Sequence, residues 1–387
     1  MVASVLAVGR RAAVRHTMLS GNLADGVAFR FLLGSVAAHL TALREEQQVH
    51  GDLLLLRDAL DGGEVSIHCS CIEKMHLWFV HALQHWPEAR WVGKTEDDTY
   101  INLPQLLFDL KRPSVLSHPH LVYGLMHLTA SAPIRSAGVR PGCWLADLES
   151  VYGGSSPAAN AAPWQPEASL AKHIAQAKRC NGSIAPFPSG PLAVFSAALA
   201  RRLFVGCDYL RDFMQIARAW DRASDHCGTD HPNRTRGLAG TTCDGVLGGW
   251  IEHCTPRGEG VVLAHMTWSK GHFFADRPGG LGWVLPSNTS VAVHGIKSSP
   301  ETIRSNGRPE GAGFADWKRT HELSSVSRRT PFPPLLWRYA PTRTASAHGA
   351  WSCAEGEDEG ACAKPGRAHR TGNWSLLDSE VPLWCKP

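Results

Sequence analysis

The chain has 387 residues, 43% hydrophobic, 19% charged and 8% aromatic, which is enough apolar material for a sizeable core and excludes a disordered or fibrous chain. Lysine and arginine number 39 against 35 acids, a net charge of +4 that is too mild to argue for a nucleic-acid partner. No run approaches the roughly 18–20 apolar residues that span a bilayer.

The opening run Val2–Val8 is about strand length and reads as a buried strand. Its basic residues, Arg10 and Arg11, follow the apolar run, the reverse of a signal peptide. The expectation is a chain that starts inside a fold, either intracellular or behind an anchor upstream of Met1. Arg10–Leu19 predicts a short helix, Phe29–Leu33 a strand closed by Gly34, and Ser35 caps a helix running to Val49. Asp52–Leu56 is a third strand. From Cys71, the residues Ile72, Met75, Phe79, Leu83 and Trp86 recur at helical spacing until Pro87. Arg90–Gly93 is a fourth strand, Pro104–Leu110 a helix, and Leu121–Tyr123 another strand. Strands separated by helices of this length imply a mainly parallel sheet with helices on both faces. Residues 130–170 read as a long loop, while Pro191–Val205, Tyr209–Trp220 and Asp244–His253 follow helical patterns. Beyond about residue 300 the composition turns to Arg, Pro, Ser and Gly, an irregular C-terminal extension, 301–387.

There are 11 cysteines and no pair of C-x-x-C motifs with zinc spacing. Sequons stand at Asn181, Asn233, Asn288 and Asn373. Together they point to disulfides and the secretory route.

The chemistry concentrates in Lys94-Thr95-Glu96-Asp97-Asp98-Thr99-Tyr100-Ile101-Asn102, three acids after a short apolar strand. Open α/β folds bind ligands at the carboxyl edge of the sheet. Adjacent carboxylates repel and need a cation or a raised pKa to coexist. Hard oxygens favour Mn²⁺ or Mg²⁺, which in turn can hold a diphosphate.

The run from Arg10 to Asn102 resembles the donor half of glycosyltransferase family 31, the β-1,3-galactosyltransferase and Fringe-type enzymes. Arg10-Arg11-Ala12-Ala13-Val14-Arg15-His16-Thr17-Met18 is similar to R-R-x-x-I-R-x-T-W, and Glu46 to Leu53 is similar to E-x-x-x-Y-G-D-I, followed by Asp58. Lys74 and Trp78 stand where the family helix carries K and W. Lys94–Asn102 resembles K-x-D-D-D-x-F-x-N with Glu96 in place of the first Asp, and Phe187–Ser196 resembles Y-P-x-Y-x-S-G-x-G-Y-V-L-S.

The resemblance implies a GT-A type, Rossmann-like fold over residues 1–300, with a nucleotide-sugar half at 1–125 and an acceptor half at 180–300. It implies an inverting transfer of galactose or N-acetylhexosamine from a UDP-sugar to the hydroxyl of a glycan or glycoprotein acceptor. Mn²⁺ or Mg²⁺ is the implied metal, held by Asp98 with Asp97 or Glu96 assisting. Thr242–Trp250 is similar to the E-D-V-x-x-G segment, in which one acid is here Gly245, so Asp244 becomes the candidate base. A third metal ligand is His294, in Val293-His294-Gly295-Ile296-Lys297, ahead of His265. Arg11, Arg15 and Lys94 are candidates to face the nucleotide, and Gly190 to allow close backbone approach near the sugar. The implied setting is the Golgi lumen, as a type II membrane protein whose anchor lies outside this sequence. Gly245, Glu96 and Met18 also fit a catalytically weak or inactive binding module, and a nucleotidyltransferase is a third reading.

Overall fold

The structure, a computed structural model, describes residues 1, 7–20, 26–34, 39–56, 67–131, 145–146, 183–211, 214, 244–256, 259–266, 273–275, 290–294, 334–340, 351–352 and 373–376. Helix α1 is Val8–His16, followed by strand β1 (Phe31–Gly34), helix α2 (Leu40–His50) and strand β2 (Leu53–Leu56). Val2–Leu6, most of the expected first strand, lies outside the described residues, as does Ser35; Val8 opens α1 instead. Helix α2 stops at Gly51, whose φ of 67° is the left-handed conformation that glycine adopts without a Cβ clash. This turn delivers Asp52 and sends the chain into β2, which pairs in parallel with β1, Phe31 opposite Leu53.

Helix α3 (Ile67–His85) buries Ile72, Met75, Phe79 and Leu83 and ends before Pro87, as its 3.6-residue period predicts. Trp78 on its inner face donates its indole N–H to the Gly93 carbonyl at 2.8 Å, tying the helix to strand β3 (Trp91–Thr95). Strand β4 (Thr99–Ile101), helices α4 (Leu103–Leu110) and α5 (Pro113–Leu116), and strands β5 (Leu121–Ser131) and β6 (Leu145–Ala146) follow. After them come β7 (Ser183–Ser196), α6 (Ala197–Phe204), α7 (Gly245–Cys254) and β8 (Val261–His265). The remaining strands are β9 (Phe273–Ala275), β10 (Ala292–His294), β11 (Leu335–Ala340), β12 (Trp351–Ser352) and β13 (Asn373–Leu376).

The largest sheet runs in the order β12-β13-β11-β8-β5-β7-β3, with β6 paired to β5. It is a mixed sheet, which corrects the expectation of a mainly parallel one. β3 and β5 are each antiparallel to β7, so they share a direction, and β8 is parallel to β5. Strand–helix alternation therefore identified β3 and β5, which share a direction, and missed β8 and β7, the latter inserted in reverse between β3 and β5. The helix expected over Pro191–Val205 is correspondingly displaced: Ser183–Ser196 is strand, and only Ala197–Phe204 is helix. The cause is burial. Leu192, Ala193, Val194 and Phe195 are all covered, and a strand buried on both faces loses the alternation that distinguishes it from a helix.

Both faces of the sheet are covered. Leu121, Tyr123, Leu192, Val194, Val262 and Ala264 pack with α1, α2 and α4 in one cluster, while Val122, Met126, Ala193, Phe195, Val261 and Leu263 pack with α3, α6 and α7 in the other. Within the expected irregular extension, β11 pairs with β8 and β13 with β11, so this stretch supplies strands of the same sheet.

A disulfide joins Cys207, just after α6, to Cys254 at the end of α7. The bond fixes the helix that carries Asp244 at its other end. It closes a loop of 47 residues, for which chain entropy gives about 4 kcal/mol. A Cys207→Ser variant should unfold in urea with a stability deficit of that order against the oxidised protein; equal stability would show that the bond constrains nothing.

Candidate active site

Three segments converge at the carboxyl end of β3: that strand with the turn leading into β4, a bulged stretch of β7, and the start of α7. β7 carries three more residues than β5 between the pairs Gly124–Ala193 and Met126–Pro188, so residues 189–192 bow away from β5, while Leu192 stays paired with Thr95 of β3. Bulges of this kind re-aim side chains and backbone beside functional sites. Here the Thr95 hydroxyl donates to the Pro191 carbonyl at 2.7 Å and fixes the bow against β3.

Lys94 is a charged residue in a buried strand, only 2% exposed, a placement tolerated only with compensating acids. Its ammonium donates to Asp244 Oδ1 at 2.6 Å. Burial alone would lower the lysine pKa, but Asp244, Glu96 and Asp98 together hold it above its ordinary value. Burial pushes the Asp244 carboxyl up; Lys94 and the Gly190 N–H pull it back, and the charge of Glu96 adds to the rise. The two upward shifts are consistent. One ammonium shared by several carboxylates keeps its proton firmly, yet leaves each acid incompletely neutralised.

Gly190 lies between two of those acids. A Cβ at this position would stand 2.1 Å from Glu96 Oε1 and 2.5 Å from Asp244 Oδ2. The structure thus shows Gly190 in close approach to carboxylates of its own chain. Gly190→Ala should cost about 1–3 kcal/mol through overpacking, read by urea unfolding; a neutral substitution would mean that Glu96 and Asp244 part freely.

Asp244 occupies the N-cap position of α7, but its side chain makes no capping bond there; it goes to Lys94 instead. Asp98 is 1% exposed. Asp97, its neighbour, accepts from Arg10 at 3.0 Å. Arg10 was not among the sequence candidates, although the R-R pair that opens α1 contains it.

Arg11 and Arg15 reach a different set of acids. Arg11 binds Glu46 through two nitrogens at 2.8 and 2.6 Å. Arg15 binds Asp52 through two at 2.7 Å, reaches Glu46 at 2.7 Å and lies over the Phe31 ring. The R-R-x-x-x-R and E…G-D segments thus meet as one forked ion-pair network joining α1, α2 and β2. Two-pronged guanidinium–carboxylate bonds fix geometry as well as charge, and burial of Arg11 demands such partners.

The two histidines are placed differently. His265, at the end of β8, accepts the Met126 N–H on Nδ1 at 3.0 Å. A backbone amide can only donate, so the imidazole proton sits on Nε2, and that nitrogen has no lone pair for a metal. His294 stands on β10 opposite Thr99 of β4, one position from Asp98. Among the described residues, no group of three or more His, Cys, Asp or Glu residues is disposed to hold a metal.

The mixed α/β sheet gathers acids around a buried lysine at one strand end. Residues 9–216 match the family model described as Galactosyltransferase, more than half of the chain, and the chain belongs to the galactosyltransferase family. Glycosyl transfer is therefore its class of chemistry. No curated protein matches it.

Proposed function

We propose that this chain transfers galactose or an N-acetylhexosamine from a UDP-sugar to a glycan hydroxyl, with inversion and in β-1,3 linkage, using Mn²⁺ or Mg²⁺. The observation that carries the reading is the meeting of Lys94, Glu96, Gly190 and Asp244, from three separate segments, beside buried Asp98. Carboxylate oxygens are the hard donors that a divalent cation prefers, although no three such groups are gathered for one among the described residues. Lys94 is the cation that Asp244, Glu96 and Asp98 share, while Asp97 is met by Arg10. Asp98 would hold the ion, with His294, whose strand runs beside the acidic turn, as a further ligand. Such an ion neutralises charge developing on a diphosphate leaving group.

The chain's own residues do the rest. Lys94 engages Oδ1 of Asp244 and leaves Oδ2 on the Gly190 side to take the acceptor hydroxyl proton. A carboxyl raised by burial is a stronger base than one in water. Arg11, Arg15, Glu46 and Asp52 support the donor half.

The Cys207–Cys254 bond supports an oxidising compartment, in keeping with the Golgi lumen. No helix among the described residues is long and apolar enough to cross a membrane, and type II anchoring would come from an upstream segment. A donor screen reading free UDP, with Mn²⁺ and then with chelator, tests the reading. Chelator-sensitive UDP release with one UDP-sugar supports it; release of pyrophosphate, or turnover indifferent to chelator, refutes it. Gly245, where the family motif has an acid, favours the second reading, a sugar or nucleotide binding module. Nucleotide affinity without turnover on any acceptor would decide for that module.

A further inference from the structure

His265 ends β8 and is almost wholly buried. It pairs in register with Gly124 of β5, and the following amide, Met266 N–H, donates to the Gly124 carbonyl at 2.9 Å. There β8 stops, while β5 runs on. Two residues further along β5, the Met126 N–H goes to His265 Nδ1 at 3.0 Å. The imidazole thus supplies one more rung where the strand has ended, and a buried amide needs such an acceptor. That rung stands where β5 and β7 part. Gly124 pairs with Ala193 and Met126 with Pro188, and the bow of β7 lies between the two pairs. The fit is tight, for a Cβ on Gly124 would stand 2.6 Å from the Leu192 carbonyl oxygen. On its far side the bow is held by the Thr95 hydroxyl at the Pro191 carbonyl. Between the two holds, Gly190 directs its N–H at the Asp244 carboxylate.

We infer that His265 is a positioning residue for the transfer reaction: by holding the Met126 amide it fixes the register at which β7 bows, and with it the Gly190 N–H that orients Asp244. β8, β5 and β7 are neighbours in that order, so the constraint passes through two strand pairings. Misplacing a reacting group by a fraction of its bond length to substrate is costly in rate even when the cause is remote. The inference rests on the reading of Asp244 as the base.

Two variants of the full chain test it, read by UDP release and by amide exchange in mass spectrometry. His265→Asn keeps an acceptor, Oδ1, where Nδ1 stands, and His265→Leu removes it. In folded His265→Leu, kcat should fall about ten- to a hundredfold while the KM for the UDP-sugar is kept, because the loss falls on the base and not on the donor. Exchange should quicken in peptides spanning 126–131 and 186–192. His265→Asn should recover most of both. If circular dichroism shows that His265→Leu does not fold, His265→Gln takes its place, since its acceptor stands one bond farther out. Native exchange across 186–192 in the variant lacking the acceptor, or a loss of kcat that His265→Asn does not recover, would overturn the inference. Absence of UDP release by the native protein strikes the transferase reading instead, and the exchange comparison still decides whether His265 holds the bow.

Discussion

Replacing Lys94 by methionine is expected to cost the fold about 3–5 kcal/mol, the usual result of removing one partner from a buried ion pair. The side chain is almost wholly enclosed and compensates Asp244, Glu96 and Asp98 at once. Methionine fills the volume, so the loss measures charge rather than packing. The dependence on pH has a definite sign. In the native protein the lysine pKa is raised, so its contribution is fully present below its ordinary value of 10.5 and fades only as pH climbs through the raised value. In Lys94→Met the deserted carboxylates should titrate higher than usual. The variant's deficit should then shrink in acid, as they take up protons, and widen as pH rises through their raised values. Urea unfolding of both proteins at about pH 5 and about pH 8 measures this. A deficit below about 1 kcal/mol at both values would mean that the cluster is solvated and that Lys94 does not organise it.

Asp244→Asn should separate chemistry from folding. The amide keeps the shape of the carboxylate, and Lys94 retains Glu96 and Asp98 as counter-charges. Asp244 itself has a raised pKa, so its own contribution to stability is full only below its ordinary value of 3.8 and is lost as pH rises through the raised one. At neutral pH its removal should therefore cost far less than removal of the lysine. UDP release should nonetheless fall by about 10²–10⁴-fold, the range associated with losing a general base, while nucleotide affinity is kept. In the native enzyme, turnover should fall as pH drops through the raised Asp244 value. Turnover retained in Asp244→Asn would end the assignment of the base to this residue and leave the proton to another group.

The reverse strand β7 shows how local pattern can mislead where burial is complete. Leu192–Phe195 satisfy a helical pattern as readily as a strand lodged between two neighbours, and of the three prolines that argue against a helix there, Pro186 and Pro188 stay in register with Leu128 and Met126 while Pro191 lies in the bow. The arginines of α1 make a second case. Their spacing places Arg11 and Arg15 on one side of a helix, but a cation near a diphosphate and a cation in a forked salt bridge look alike in one dimension. Only the packing of α1 against α2 and β2 brought Glu46 and Asp52 to them.

Short-range chemistry in the chain was enough to specify α1–α3, the acidic run after β3 and the family to which these motifs belong, because caps and periodicity act within a few positions. Tertiary structure decided what no neighbour along the chain encodes: that Lys94 finds Asp244 from 150 residues away, that Gly190 is wedged against Glu96, and that the Asp244 side chain leaves its cap for an ion pair. A buried charge settles wherever its counter-charge can be brought, and that partner is selected by the folding of the sheet.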